Sequence, residues 1–221
     1  MPATPRTIPE HALLSEMLLV LDIAPDFDLY AASFSAEGNL LSQWRAYCPP
    51  TGGFSVGITS SVLERSGNKL IPCLYEPKEQ SDLLEDVVGR VLNAFRYTSP
   101  PGEEEPERRI RIVGLAVEFL RALLVLAASF KERSFREEVE WRLIARTASP
   151  DAPPLFRVGR GGVVPYLEVP LITGDYLVFD QVIVGPNPHE AIAVQAVQAL
   201  LDAHQVVCSG VEPCGIPYRP W

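Results

Sequence analysis

Two helical segments in succession occupy the middle of the chain, with strand-like segments on both sides of them. After a helix-start signal at residues 80–82, apolar residues recur at helical spacing through residues 83–95. A second helix is predicted over residues 107–131; it is hydrophobic on several sides, so we expect it to lie deep in the fold. Residues 97–106 hold three prolines, a glycine and three consecutive glutamates, which predict a solvated connection.

The flanking segments predict an α+β fold. Strand character is found at residues 29–35, 53–58, 70–75, 138–146, 155–158, 163–169 and 176–184, and a further helix is predicted at residues 189–204. We therefore predict a single domain over residues 29–221, with a mixed, mostly antiparallel sheet and flanking helices. It follows an N-terminal helical segment at residues 1–28, in which residues 11–23 are helix-like.

Charge and cysteine content restrict the function classes. The net charge of −9 argues against a broad surface for nucleic acid or for an anionic membrane. The apolar run at residues 110–130 is interrupted by Arg111, Glu118 and Arg121, which favours a buried helix over a membrane anchor. The four cysteines form no C-x-x-C and the N-terminus lacks the order of a signal peptide, so we expect a cytoplasmic protein without a metal site.

Residues 39–47 form the first candidate site segment, and a glycine pair at residues 52–53 follows it. In a functional interpretation, Trp44 or Tyr47 stacks on a planar ring and Arg45 binds a phosphate. The glycine pair would let the backbone approach a ligand. In the alternative interpretation, the two rings belong to the core and Arg45 extends to water, which is the commoner arrangement.

Residues 135–144 form the second candidate segment. If residues 138–146 are a strand, Glu138, Glu140 and Arg142 share one face, while Val139, Trp141 and Leu143 face the core. Two carboxylates and a guanidinium on one face are consistent with a polar cleft. A solvated outer face with a weak ion pair is the alternative, and spacing alone favours it.

Several of these segments, in this order, resemble the DUF2971 family of bacterial and phage proteins. The resemblance covers about residue 29 to the C-terminus, and it rests on residues 33–35, 41–47, 53, 57–58, 135, 138–144, 164–166, 182–187 and 216–219. Family members commonly carry a Tyr-containing motif and an Asn-Asp turn ahead of the Ser-Phe-Ser strand, and the short N-terminal region here has neither. This departure leaves open a shortened, inactive or partner-completed version of the fold.

A more distant resemblance to DarT-type ADP-ribosyltransferases implies a catalytic role. It implies that Glu140, or Glu138 in its place, polarises the nicotinamide ribose of NAD, with Arg45 near phosphate and Tyr47 near the nicotinamide. The groups implied to hold the nucleotide are those of Ser35, Gln43, Trp44, Arg45, Tyr47 and Arg142.

These resemblances imply an NAD-dependent mono-ADP-ribosyltransferase-like effector or toxin of bacterial conflict or phage defence. Its partners would be a nucleotide ligand and a macromolecular acceptor, and no metal would be needed. The competing hypothesis is a non-catalytic protein-binding module, antitoxin-like or phage-encoded, that keeps the fold. A metal-dependent nuclease is a third hypothesis, disfavoured because the lysine and preceding aspartate of such sites are missing.

Overall fold

The computed structural model describes residues 15, 18–19, 29–49, 52–64, 68–98, 102–146, 153–159, 161–173 and 176–217. The chain forms two compact units, of which the first includes Leu74–Lys131 and the second includes Tyr30–Cys73 and Glu132–Trp221. Of the helix predicted at residues 11–23, only positions 15, 18 and 19 are described, and these are helical. The predicted boundary after residue 28 stays a prediction, because most of the preceding segment lies outside the described residues.

The helices and strands are numbered here in chain order. The helices are α1 (Leu41–Tyr47), α2 (Ser60–Leu63), α3 (Pro77–Thr98), α4 (Glu105–Ser129) and α5 (Glu190–Ala203), and a 3-10 helix spans Arg133–Glu138. The strands are β1 (Leu29–Ser35), β2 (Phe54–Gly57), β3 (Lys69–Pro72), β4 (Glu140–Arg146), β5 (Leu155–Gly159), β6 (Gly162–Tyr166), β7 (Ile172–Thr173), β8 (Tyr176–Phe179), β9 (Gln181–Val184), β10 (Val207–Cys208) and β11 (Val211–Pro213).

The first unit contains the two long helices that the apolar periodicity predicts. Phe95 of α3 is buried against Ile112, Ala116 and Phe119 of α4. Positions 112, 116 and 119 lie on one face of a helix because they are four and seven residues apart. The packing of α3 on α4 therefore follows directly from the spacing of apolar residues.

Helix α4 is less buried than its sequence predicts. Only 28% of its most apolar 18-residue stretch is buried, so the prediction that it lies deep in the fold is wrong. The reason is that α3 covers one stripe of α4, whereas Ile110 is 74% exposed. Within the described residues, Pro106–Ser129 is the segment that is long and apolar enough to cross a membrane, on length and composition alone.

The connection between α3 and α4 is shorter than predicted, because α3 ends at Thr98 and α4 begins at Glu105. The Glu103 carboxylate accepts hydrogen bonds from Arg111, at 2.8 Å from Nε and 2.7 Å from Nη2. The two side chains are only 9% and 17% exposed, and the Arg111 guanidinium lies 4.9 Å from the centre of the Phe95 ring. The hydrogen bonds from Arg111 lower the pKa of Glu103, and those to Glu103 raise the pKa of Arg111.

The second unit contains the described strands in several small sheets, with the orders β1-β4-β3, β11-β9-β2, β10-β8-β7 and β5-β6. Strand pairs β2/β9, β3/β4, β5/β6 and β7/β8 are antiparallel, and β10/β8 and β11/β9 are parallel. This confirms the α+β class and the mostly antiparallel pairing. Helix α5 packs Val197 and Leu201 against Val182 and Val184 of β9.

The segment predicted as a strand from residue 138 begins as a strand only at Glu140. Glu138 ends the 3-10 helix, and Val139 follows in the left-handed conformation with φ of 43°. This conformation is strained for a β-branched residue, and two contacts from the end of β1 hold it. The Ser35 hydroxyl lies 2.9 Å from the carbonyl oxygen of Glu138, and the Ala36 N–H donates to the carbonyl of Val139 at 3.0 Å. The prediction that Glu138 shares a strand face with Glu140 is therefore wrong.

Candidate functional site

A cavity of about 890 Å³ lies in the second unit. Its walls come from the end of β1 and the turn after it, from α1, from β2, from single residues of β3 and β4, and from the turn between β8 and β9. Its volume falls within the range of small-molecule and cofactor sites. Long-range strand pairing assembles the cavity, because β1 pairs with β4 and β2 pairs with β9.

The two candidate segments of the sequence converge on this cavity. Gln43, Trp44 and Tyr47 of α1 line it, and so does Trp141 of β4. Almost a hundred residues separate Gln43 from Trp141 along the chain, and the β1-β4-β3 sheet brings them together. Rings from both segments therefore line one cavity, whereas the predicted acidic and cationic groups of these segments do not line it.

Trp44 forms a fixed part of the wall. Its ring is 5% exposed, and its indole N–H donates to Asn39 Oδ1 at 2.8 Å. The Asn39 amide in turn donates to the carbonyl of Cys214 at 2.8 Å. At Gly185, an added Cβ would lie 2.8 Å from Trp44 Cζ3, so glycine is required where the chain crosses the ring. Asn39 at the indole N–H and Gly185 against the six-membered ring therefore hold the indole in one position in the wall.

Tyr47 lies at the rim, with 70% of its surface exposed. The Ser35 hydroxyl also lines the cavity, but it is engaged in the turn after β1, where it accepts from the N–H of Glu37 at 3.1 Å. Ser35 therefore shapes the wall in addition to presenting a polar group.

Glu140 lies directly behind the wall. It is 5% exposed, and its Oε1 accepts hydrogen bonds from the Ser33 hydroxyl at 2.6 Å and from Arg142 Nε at 2.7 Å. Glu140 and Arg142 share a face of β4 as the period of two predicts, and Trp141 between them points to the opposite face and lines the cavity. Ser33 is among the residues of the wall, while its hydroxyl is bonded to Glu140 on the face of the sheet opposite Trp141.

The predicted cationic groups do not line the cavity. Arg45 is exposed on α1, and Arg142 is 22% exposed beside Glu140, but neither is part of the wall. Glu138, the alternative catalytic residue, is also absent from the wall. Helix geometry explains the position of Arg45. Consecutive residues of a helix point in different directions, so Arg45 lies on a different side of α1 from the buried Trp44.

Sequence reasoning missed two carboxylates of the wall, Glu37 and Asp180. Asp180 lies in the turn between β8 and β9, where its Oδ1 accepts from the Thr59 hydroxyl at 2.7 Å and its N–H donates to the carbonyl of Gly57 at 2.9 Å. The only sequence signal was a polar residue between two strands, which ordinarily indicates a turn and nothing more.

Cys48 was also missed as a wall residue. Burial, and secondly the nearby Cys214, raises the pKa of the Cys48 thiol. Both cysteines pack with Trp44, Cys214 as part of a buried cluster and Cys48 against it. Among the described residues, no group of three or more His, Cys, Asp and Glu side chains could hold a metal ion.

Comparison with known proteins supports the family resemblance over part of the chain. Residues 43–143 match the model of DUF2971, a protein family of unknown function. The DUF2971 match includes Gln43, Trp44, Glu140 and Trp141, and so confirms the predicted resemblance for both candidate segments. Ser33, Asp180 and the other resembling residues before 43 and after 143 lie outside it. No curated protein and no solved structure matches the chain.

Proposed function

We propose that the chain is an NAD-dependent mono-ADP-ribosyltransferase-like effector or toxin that acts in the bacterial cytoplasm, in conflict or phage defence. NAD would be the substrate, and the acceptor would be a macromolecule. The observation that supports this proposal is the position of the buried Glu140, which is bonded to Ser33 and adjacent in the chain to Trp141, both residues of the cavity wall. A fixed carboxylate therefore lies beside a space large enough for part of a dinucleotide.

The proposed reaction needs a positioned negative charge. The bond between ribose C1′ and the nicotinamide nitrogen breaks, its electron pair leaves with nicotinamide, and positive charge develops on the ribose. The acceptor then attacks C1′ and loses a proton. We assign to Glu140 the stabilisation of this charge, since a fixed carboxylate in a water-poor site acts without reorganisation. Ser33 and Arg142 would hold the carboxylate in place.

The remaining roles follow from position. The rings of Trp44 and Trp141, both in the wall, would contact the nicotinamide, and Tyr47 would close over it from the rim. The phosphates of NAD would lie outside the cavity, where exposed Arg45 offers a guanidinium. Ser35 and Gln43 would supply polar contacts from the wall. Glu138, which is not in the wall, has no direct role in this arrangement.

The test uses purified full-length protein, labelled NAD and a pool of protein, DNA and RNA acceptors. We expect nicotinamide release or label transfer by the wild-type chain, and a loss of about 100-fold or more in Glu140→Gln. Glu137→Gln is the matched control, because Glu137 is exposed and lies three residues earlier. Circular dichroism checks that each variant is folded. Absence of turnover in the wild type with every acceptor, or full turnover in folded Glu140→Gln, would contradict the proposal.

A second function is a non-catalytic protein-binding module. The observation that favours it is the apolar rim of the cavity, where Tyr47 is 70%, Phe54 60% and Val56 42% exposed. Exposed aromatic residues around a depression are typical of binding hot spots. A binding module would retain its partner in a pull-down with Glu140→Gln and lose it with Phe54→Ser, whereas an enzyme would lose turnover with Glu140→Gln.

A further inference from the structure

Aromatic rings and carboxylates together line the cavity. Five rings belong to its described wall, those of Phe34, Trp44, Tyr47, Phe54 and Trp141. The carboxylates are those of Glu37 and Asp180, and no Lys, Arg or His is found among the described residues of the wall. The described residues of the wall therefore offer aromatic rings and negative charge to a ligand, and none of them carries a cationic side chain.

The Asp180 carboxylate is fixed in position. Its side chain accepts from the Thr59 hydroxyl and its backbone N–H donates to the carbonyl of Gly57, so the end of β2 and the residues after it hold it in place. The turn that carries Glu37 is held as well, since the Glu37 N–H donates to the Ser35 hydroxyl. The backbone positions of both acidic residues are therefore set by the folded wall.

The physical consequence is selection by charge and shape. The face of an aromatic ring attracts a cation, and a carboxylate nearby adds to this attraction. The same groups repel a phosphate, and no guanidinium or ammonium of the described wall compensates for that repulsion. Flat ring surfaces also favour a flat ligand, because stacking maximises contact with the half-buried ring of Trp141 and the exposed rings of Tyr47 and Phe54.

We infer that the cavity takes a planar cation, a ring that carries a quaternary nitrogen, and leaves the anionic part of any larger ligand outside. For NAD, the planar cation is the oxidised nicotinamide ring, and in that form the inference rests on the proposed function. The binding preference itself does not depend on catalysis, so the two can fail separately.

The test compares two probes that differ in charge and hardly in shape. 1-Methylnicotinamide is a planar cation, and nicotinamide is its neutral counterpart. Isothermal titration calorimetry with the full chain is expected to give about tenfold tighter binding of the cation. The double variant Glu37→Gln, Asp180→Asn is expected to bring this preference close to one. The Asn oxygen can still accept from Thr59, so the fold of the turn is kept.

Glu168→Gln is the matched control variant, because Glu168 is exposed and does not line the cavity. It removes one negative charge and is expected to leave the preference unchanged. Equal or weaker binding of the cation by the wild type would overturn the inference, as would binding of neither probe or a preference that survives in the double variant. If the cation is preferred but NAD is never cleaved, the inference stands and the proposed function fails. If NAD is cleaved but the cation is not preferred, the proposed function stands and the inference fails.

Discussion

Two carboxylate–arginine pairs, one in each unit, are alike in chemistry and differ in their surroundings. In the helical unit, Glu103 receives two hydrogen bonds from Arg111, which lies against the ring of Phe95. In the strand-rich unit, Oε1 of Glu140 accepts hydrogen bonds from Arg142 and from Ser33. Arg111 of the first pair lies against a ring of the helical core, whereas Ser33, which contacts the second pair, is a residue of the cavity wall. A carboxylate and an arginine in contact therefore do not by themselves indicate a functional site. The further residue that contacts the pair, here Ser33, is what points to one.

The largest effect is expected from removing the arginine of the pair beside the cavity. Arg142→Met removes a guanidinium that donates to the carboxylate of Glu140, which is 5% exposed, and we expect a loss of about 2–4 kcal/mol in the free energy of unfolding. Urea denaturation measures this loss. Adding Glu140→Gln to Arg142→Met should restore part of it, because the buried charge is then also removed. A loss below about 0.5 kcal/mol is typical of ordinary surface substitutions. It would show that Arg142 contributes no more to stability than the arginine of a solvated ion pair.

A second prediction compares the packing of the two units. In Gly185→Ala, the new Cβ would meet the fixed ring of Trp44 at 2.8 Å and the carbonyl oxygen of Gly53 at 3.0 Å. We expect a loss of about 1–3 kcal/mol in stability, and a weaker affinity for any ligand of the cavity. The matched control is Gly114→Ala in α4, where nothing lies within 4 Å of the added atom. That change should stabilise the helix by up to about 1 kcal/mol. Equal effects of the two changes in thermal unfolding would remove the contrast between the units.

The smallest effect concerns the pair of Glu103 and Arg111 in the helical unit, and it depends on pH. Hydrogen bonds from Arg111 hold the pKa of Glu103 below its ordinary value of 4.5. A lowered pKa stabilises the folded state above that ordinary value, and this stabilisation is lost as the pH falls through the folded pKa. Glu103→Gln should therefore be less stable than the wild type at neutral pH, and the difference should shrink in acid. Denaturation series at neutral pH and well below pH 4.5 measure it. A constant difference across this range would show that the ion pair contributes nothing.

Local patterns predicted much of the fold. The spacing of apolar residues predicted α3 and α4 to within a few residues, because one stripe of each helix has to be buried. The alternation of a strand placed Glu140 and Arg142 on one face and Trp141 on the other. Each of these features depends on residues close together in the chain, so a short window of sequence contains the information.

Other parts of the site depended on contacts between residues that are far apart in the sequence. Glu138 was misplaced because Val139 adopts a left-handed conformation held by the end of β1, about a hundred residues earlier. Asp180 was missed because it reaches the cavity only through the pairing of β9 with β2. The exposure of α4 was misjudged because its apolar surface is wider than the stripe that α3 covers.

The sequence by itself determined α3, α4 and α5, the alternation along β4 and the resemblance to DUF2971, which the family model supports over residues 43–143. These follow from periodicity and from residue identity, which are properties of neighbouring positions. Only the tertiary structure decided that the cavity is lined by rings and carboxylates while Arg45 and Arg142 stay outside it. The sign of charge in a cavity depends on which strands pair and in which register, and that choice is made by the packing of the whole unit.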